Sequence, residues 1–321
     1  MVRNANAAVK QPKNQLTRRS GWSSFINNEN VAGYIFLLPW LIGFLVFTAY
    51  PIFASLYYSF TNLNPLKGLG HETFVGFRNY IQMFTTDSAY YTALRVTFVY
   101  ALVSVPLRLI FALLIAMLLN RKSKASGVYR TIYYLPSIVG GSVAVAVMWR
   151  SLWIQEGTIN AVLQAIGIQC EWGWLTQPST ALMCLIILAV WQFGSSMLIF
   201  LAGLKNIPAE YYEAATVDGA GPFRKFFNIT IPMLTPVIFF NLINQLILGF
   251  TAFTQSYITT RGDPMNETLF YALHLYRQGF EHNKMGYASA MAWILLIIVA
   301  IMTAIIFKSS NSWVYYESKG E

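Results

Sequence analysis

The chain has 321 residues, of which 56% are apolar and only 11% charged, and its mean hydropathy is +0.48. That balance excludes a water-soluble globular domain and describes a polytopic membrane protein. The formal charge of +9 has no soluble basic domain to rest on, which excludes a nucleic-acid partner. Charge-free runs at 31–60, 132–149, 172–204, 226–260 and 285–307 reach or approach the length a helix needs to cross a bilayer. A sixth run, 96–120, is interrupted only by Arg108. Six crossings put both termini on one side. With the N-terminus inside, the cytoplasmic segments hold Arg3, Lys10, Lys13, Arg18 and Arg19, then Arg121, Lys122, Lys124 and Arg130, then Lys205, Arg224 and Lys225, then Lys308 and Lys319. The positive-inside rule therefore predicts cytoplasmic termini and a lipid bilayer around the spans.

Residues 1–30 are polar and basic and read as a cytoplasmic tail, with a short interfacial helix expected around Trp22, Phe25 and Ile26. The run that follows is too long for a signal-peptide core, so it is expected to stay as the first span, kinked at Pro39 and Pro51. Residues 62–91, with Gly76, Phe77, Asn79 and Tyr80, form an outer loop. In the second span Arg108 costs roughly 2.5–3.5 kcal/mol to insert. It must face the bundle interior, either bonded to helix ends near Pro106 or lining a path that attracts an anionic solute. Arg95, near the outer end, can snorkel.

A basic turn at 120–130 leads into a third span, 129–153, where Gly140, Gly141, Ser142 and Ala144 offer a small-residue face for close packing. Gly157, Thr158, Ile159 and Asn160, with Trp172 and Trp174, form a second outer loop. The fourth span, 181–204, carries Trp191, Gln192, Gly194, Ser195 and Ser196, read as polar glue between helices. A polar island, 205–232, follows. Pro208 suits a first helical turn before Ala209–Val217, and Gly219 and Gly221 stop that helix. Pro222 restarts one, in which Phe223, Phe226, Phe227 and Ile231 share a face opposite Arg224, Lys225 and Asn228. A short amphipathic helical hairpin at a membrane edge is the expectation.

The fifth span, 233–257, holds Asn241, Asn244, Gln245, Phe250, Thr251, Phe253, Gln255 and Tyr257. Rings stack on the C–H faces of sugars and amides match hydroxyls as donor and acceptor, so this set suits a sugar path. Hydrogen bonding between helices is the other reading of the same residues. Residues 259–284 form a third outer loop, 291–307 close the bundle, and 309–321 return inside. Cys170 and Cys184 have no disulfide or metal spacing and read as packing residues. His71, His274 and His282 have no partner at ligand spacing and read as solvated loop histidines, so no metal is assigned.

Glu213, Ala214 and Ala215, three residues, Gly219, nine residues, then Ile229-x-Ile231-Pro232 resemble the E-A-A-x-x-x-G-x9-I-x-L-P loop of binding-protein-dependent ABC importer permeases. Ile231 stands where the family has Leu, a volume-conserving change. Gly76-x-x-Asn79-Tyr80, Arg130 with Leu135-Pro136, Gly157-x-Ile159-Asn160 and Met285–Ala290 also match family elements, so the likeness covers 31–307 and points to the carbohydrate-importer branch. It implies an all-α six-helix permease bundle, 31–308, with a cytoplasmic coupling helix in the hairpin 205–232. It further implies a second homologous permease, two ATPase subunits that hold ATP and Mg, and an extracytoplasmic solute-binding protein that docks on the outer loop 259–284, in the inner membrane of a bacterium. Glu213, Ala214, Ala215, Asp218, Gly219, Arg224, Ile229 and Pro232 are then the residues that couple to the ATPase.

The chain has no G-x-x-x-x-G-K-[ST] loop to hold a nucleotide, and it is read as a transport subunit with no catalytic residues. An ion-coupled carrier would need carboxylates inside the membrane, and the charge-free runs hold no Asp or Glu. In a membrane enzyme, Glu156, Glu171, Asp263 and His274 share no helical spacing within one span. Arg108, Arg95 and Arg277 motivate an acidic, uronate-type oligosaccharide as cargo, beside a neutral oligosaccharide and a glycerol phosphate ester.

Overall fold

The computed structural model describes residues 29–68, 70–121 and 125–315. The interfacial helix expected around Trp22, the remainder of both tails and the basic residues Lys122 and Lys124 lie outside these. The chain divides into two units, Met1–Ser55 and Leu56–Glu321. In the first, helix α1 (Glu29–Phe44) passes through a π-turn, Leu45–Ala49, into α2 (Tyr50–Ser59), whose last residues, from Leu56 on, belong to the second unit. The wider turn sits just ahead of Pro51, where a regular helix would have a missing N–H and a ring against the carbonyl four residues back. Pro39 is carried inside α1.

In the second unit an isolated bridge pairs Thr61 with Phe74, and α3 (Arg78–Thr85) follows. Asn79 of the Gly76-x-x-Asn79-Tyr80 element donates to the Ser59 and Thr61 carbonyls at 2.8 and 2.9 Å. The centre of the unit is α4 (Ser88–Leu119), 32 residues and about 48 Å long. It packs on α8 (Pro178–Trp191), α9 (Gly194–Asn206) and α12 (Ile231–Phe250). Ala112 and Ala116, one turn apart and fully buried, let Met197, Phe200 and Leu201 of α9 approach closely. At its other end Ala93, Val96 and Tyr100 pack with Leu185, Ile186 and Phe270. Leu102, Leu107, Ile110 and Leu118 of the same helix are exposed, as side chains facing lipid are.

The third predicted span is not one straight helix. It is α5 (Ser126–Val139) and then α6 (Val143–Trp153) with α7 (Thr158–Ala165), bent by 97° at Gly140-Gly141-Ser142. Two glycines disfavour the helix and Ser142 starts a new one by accepting the Val145 N–H at 3.4 Å. The fourth span bends by 41° between α8 and α9, at Gln192-Phe193. Among the described residues four helices are long and apolar enough to cross a membrane, and counting each bent pair as one crossing gives the six predicted.

The hairpin begins as expected with α10 (Ala209–Val217) and reverses at Gly219, whose φ is +74°. Its second arm is not a separate amphipathic helix. α11 (Pro222–Lys225) runs through a π-turn, Phe226–Thr230, directly into α12, and the wide turn makes room for Pro232 as its counterpart does for Pro51. After α12 come α13 (Thr254–Thr259), α14 (Tyr271–Tyr276), a π-turn at Arg277–Glu281 and α15 (Met285–Trp313).

Residues 259–284 are not a solvated loop. Leu269, Phe270, Tyr271 and Leu273 are buried, and the Tyr271 N–H donates to Thr97 Oγ1 at 2.8 Å. His274 is buried with them and meets Asp87 Oδ2 at 2.8 Å, against the reading of a partnerless loop histidine. Its partner is 187 positions away, which no local spacing could reveal. Asp87 also caps α4, accepting the Tyr90 N–H, and takes the Tyr287 hydroxyl at 2.7 Å, so it ties α4, α14 and α15 together. Burial pushes the Asp87 carboxyl up, but the bonds from Tyr287 and His274 outweigh this and hold it below the ordinary 3.8. A depressed folded value means that the unfolded chain binds the extra proton. This stabilisation is therefore complete above about pH 4 and is lost as pH falls through the folded value. Asp87→Ala is expected to cost about 1.5–3 kcal/mol at pH 7 and to flatten the acid limb, read as thermal unfolding at pH 7 and pH 3. Beside this cluster, a Cβ on Gly286 would fall on the Thr61 carbonyl oxygen and 3.0 Å from the Leu63 nitrogen, which is why the start of α15 carries glycine.

Candidate functional site

The two helix breaks meet. Gln192, at the break of α8–α9, extends its side chain into the break of α5–α6 and donates from Nε2 to the Gly140 carbonyl at 3.0 Å. Arg108 of α4 donates a guanidinium N–H to the carbonyl of Gln192. Breaking a helix leaves carbonyls without their partners, and here an amide and a guanidinium supply them. The approach is close on both sides. A Cβ on Gly140 would fall on Gln192 Cδ and 2.5 Å from the Pro136 carbonyl oxygen, and one on Gly194 would lie 2.7 Å from Tyr134 Cα.

These groups wall a cavity of about 370 Å³ bounded by α4, both breaks and the end of α12, within the range of small-molecule sites. Of the fifth-span residues selected from sequence, Gln245, Thr251, Phe253 and Gln255 line it, together with Arg108. Gln245 also donates to Ser196 Oγ at 3.0 Å. Arg108 Nε is buried with no hydrogen-bond partner among the described residues, so its guanidinium is only partly engaged by protein. Both sequence readings of Arg108 thus have a physical basis: it satisfies a helix end and it lines the cavity.

Four selected residues do not line it. Asn241 is buried and donates to the Val237 carbonyl of its own helix at 3.2 Å, and exposed Asn244 does the same with Phe240 at 2.8 Å. Phe250 sits edge-on to Phe98 with centroids 4.9 Å apart and packs in the core. Tyr257 lies behind Phe253, near-parallel to it at 5.1 Å. Tyr100, Ser104 and Ser137 line the cavity and were missed. The signal was present in α4, where Tyr100, Ser104 and Arg108 recur every four residues and so share one face. Gln192 and Ser195, read as glue, line it too.

At the other end of α12, Glu213, Ala214, Asp218, Gly219 and Arg224 of the hairpin are exposed, and Ala215 is half-buried. Val217 and Phe223 stand 89% and 82% exposed on the same hairpin, apolar side chains with nothing over them among the described residues. The hairpin holds its own shape: Lys225 Nζ donates to Thr216 Oγ1 at 2.7 Å and the Tyr212 and Thr230 hydroxyls pair at 2.9 Å. Ile229 packs on the core beside α9, and Pro232 opens α12.

The profile of the family described as binding-protein-dependent transport system inner membrane component matches residues 96–314. The chain is 52% identical over 301 residues to the probable ABC transporter permease protein YesP of Bacillus subtilis, covering 93% of this chain and 96% of that one. It is 33% identical over 307 residues to the arabinooligosaccharides transport system permease protein AraP of the same organism, covering 94% and 96%. Its fold matches, at a TM-score of 0.76 and 22% identity, a chain in the crystal structure of a bacterial ABC transporter involved in the import of the acidic polysaccharide alginate, covering 90% of this chain and 98% of that one. With its several apolar helices, its two broken helices and a match across most of its length, this chain belongs to the family of inner membrane components of binding-protein-dependent transport systems.

Proposed function

We propose that this chain is one of two permease subunits of an ABC importer that carries an oligosaccharide, of the uronate type, from an extracytoplasmic binding protein into the cytoplasm. The observation that carries this reading is the cavity at the two joined helix breaks, where Gln245, Gln255, Thr251 and Ser104 offer hydroxyl partners, Phe253 and Tyr100 offer rings, and Arg108 offers a cation with unused donors. AraP is named for arabinooligosaccharides, which supports a sugar oligomer as the cargo class. Both termini and the hairpin lie in the cytoplasm on the positive-inside argument. The hairpin, with Glu213, Ala214, Ala215, Asp218, Gly219, Arg224, Ile229 and Pro232 and the bare side chains of Val217 and Phe223, docks on an ATPase subunit that binds ATP and Mg. Closure of two such ATPases rocks the paired permeases as rigid bodies and opens the cavity alternately to each side.

Uptake by the complete importer in vesicles, with its binding protein outside and ATP inside, tests the cargo. A charge-assisted bond of about 1.5–3 kcal/mol corresponds to roughly a ten- to hundredfold effect. Arg108→Gln is expected to lower uptake of an oligogalacturonate by that factor and to change a neutral oligomer of the same length much less. Equal loss for both cargoes assigns Arg108 to holding the Gln192 carbonyl alone, and no loss for either removes it from the pathway.

A further inference from the structure

The cavity wall continues as a row of rings. Phe253, which lines the cavity, is near-parallel to Tyr257, with centroids 5.1 Å apart and planes 16° apart. Tyr276 of α14 sits against both, at 5.2 Å from Phe253 and 5.4 Å from Tyr257. Phe280, in the turn that follows, stacks on Tyr276 at 5.1 Å and 28° and is 61% exposed. The neighbouring rings Phe250, Phe270 and Tyr271 are, by contrast, buried almost completely. Phe253, Tyr257 and Tyr276 are each only half-buried, and Phe280 opens the row to the surface. α12 leads away from the hairpin for 20 residues, about 30 Å, before reaching Phe253, so the row lies at the end of the molecule far from the hairpin.

We propose that Phe253, Tyr257, Tyr276 and Phe280 form an aromatic track that receives the sugar chain on the extracytoplasmic side and leads it into the cavity. The proposal rests on the oligosaccharide reading given above and adds to it a preference for length. The exposed edges and faces of the rings present apolar surface to sugar C–H groups, and the two tyrosine hydroxyls supply donors and acceptors beside it. A dimer fits within the cavity and gains little from the track. A longer chain lies on both at once, so each added unit is held by the row until the cavity takes it.

The test is uptake by the complete importer, with its binding protein unchanged, of arabino-oligosaccharides and oligogalacturonates of two to five units. Phe280→Ala and Tyr276→Leu are expected to lower uptake of tetramers and pentamers by roughly five- to tenfold while dimers change by less than about twofold, and Phe280→Tyr is expected to keep the length dependence of the unaltered chain. Phe280 is exposed, so its removal leaves the fold intact, which detergent gel filtration of the importer checks. Equal loss at every length, or no loss at any, overturns the track while leaving the cavity reading in place. If the unaltered importer takes up neither series, the oligosaccharide reading fails and the track falls with it.

Discussion

Gly219→Pro is expected to bring uptake to background while the chain remains folded in the membrane with its cavity formed. Gly219 reverses the hairpin at φ +74°, and proline is confined to about −65°, so the reversal cannot form. A Cβ at this position would meet nothing within 4 Å, so the effect is one of backbone conformation and not of packing. Gly219→Ala serves as the graded variant, because an L-residue in the left-handed region costs about 1–2 kcal/mol, which the bond that Lys225 donates to Thr216 and the pairing of the Tyr212 and Thr230 hydroxyls can oppose. Glu213→Lys reverses a charge on the exposed face without touching the turn. Both Gly219→Pro and Glu213→Lys are expected to leave ATP hydrolysis measurable and to separate it from uptake, read as moles of sugar moved per mole of ATP hydrolysed. Normal transport by either variant with the ATPase bound would remove the hairpin from its assigned role.

Gly140→Val is expected to lower the thermal stability of the purified chain by several degrees and to abolish uptake with it. The new side chain would occupy the place of the Gln192 amide and press on the Pro136 carbonyl, neither of which is a free surface. Overpacking of this kind costs about 1–3 kcal/mol, and displacing Gln192 also leaves the Gly140 carbonyl without its donor. Gly141→Ala is the control for stability: it lies one residue on in the same break and its Cβ would meet nothing within 4 Å. Unfolding of the two variants in detergent should therefore differ, and a matching loss in both would mean that the break, and not the contact with Gln192, is what glycine supplies.

Much of the candidate site could be read in advance where its chemistry lay within one helix. Gln245, Thr251, Phe253 and Gln255 stood out because amides and a hydroxyl beside a ring suit a sugar, and Arg108 because a cation within a span is costly. Asn241 and Asn244 carried the same signal and proved to bond carbonyls of their own helix, since the side-chain type does not say which face of α12 meets the cavity. Tyr100 and Ser104 were passed over although their four-residue spacing to Arg108 marked one face of α4.

Apolar run length, the distribution of Lys and Arg, and the E-A-A loop were enough by themselves to establish a helical membrane bundle with a polar hairpin, because a bilayer leaves the backbone few other ways to satisfy its hydrogen bonds. Tertiary structure alone decided that Gly140–Ser142 and Gln192 are breaks that lock together, that the second arm of the hairpin is the start of α12, and that His274 is buried on Asp87. The first and the last of these depend on partners 52 and 187 positions away. Local propensity can say where a helix is weak, but only the opposing side chain determines whether that weakness becomes a kink, a cavity wall or a continuous turn.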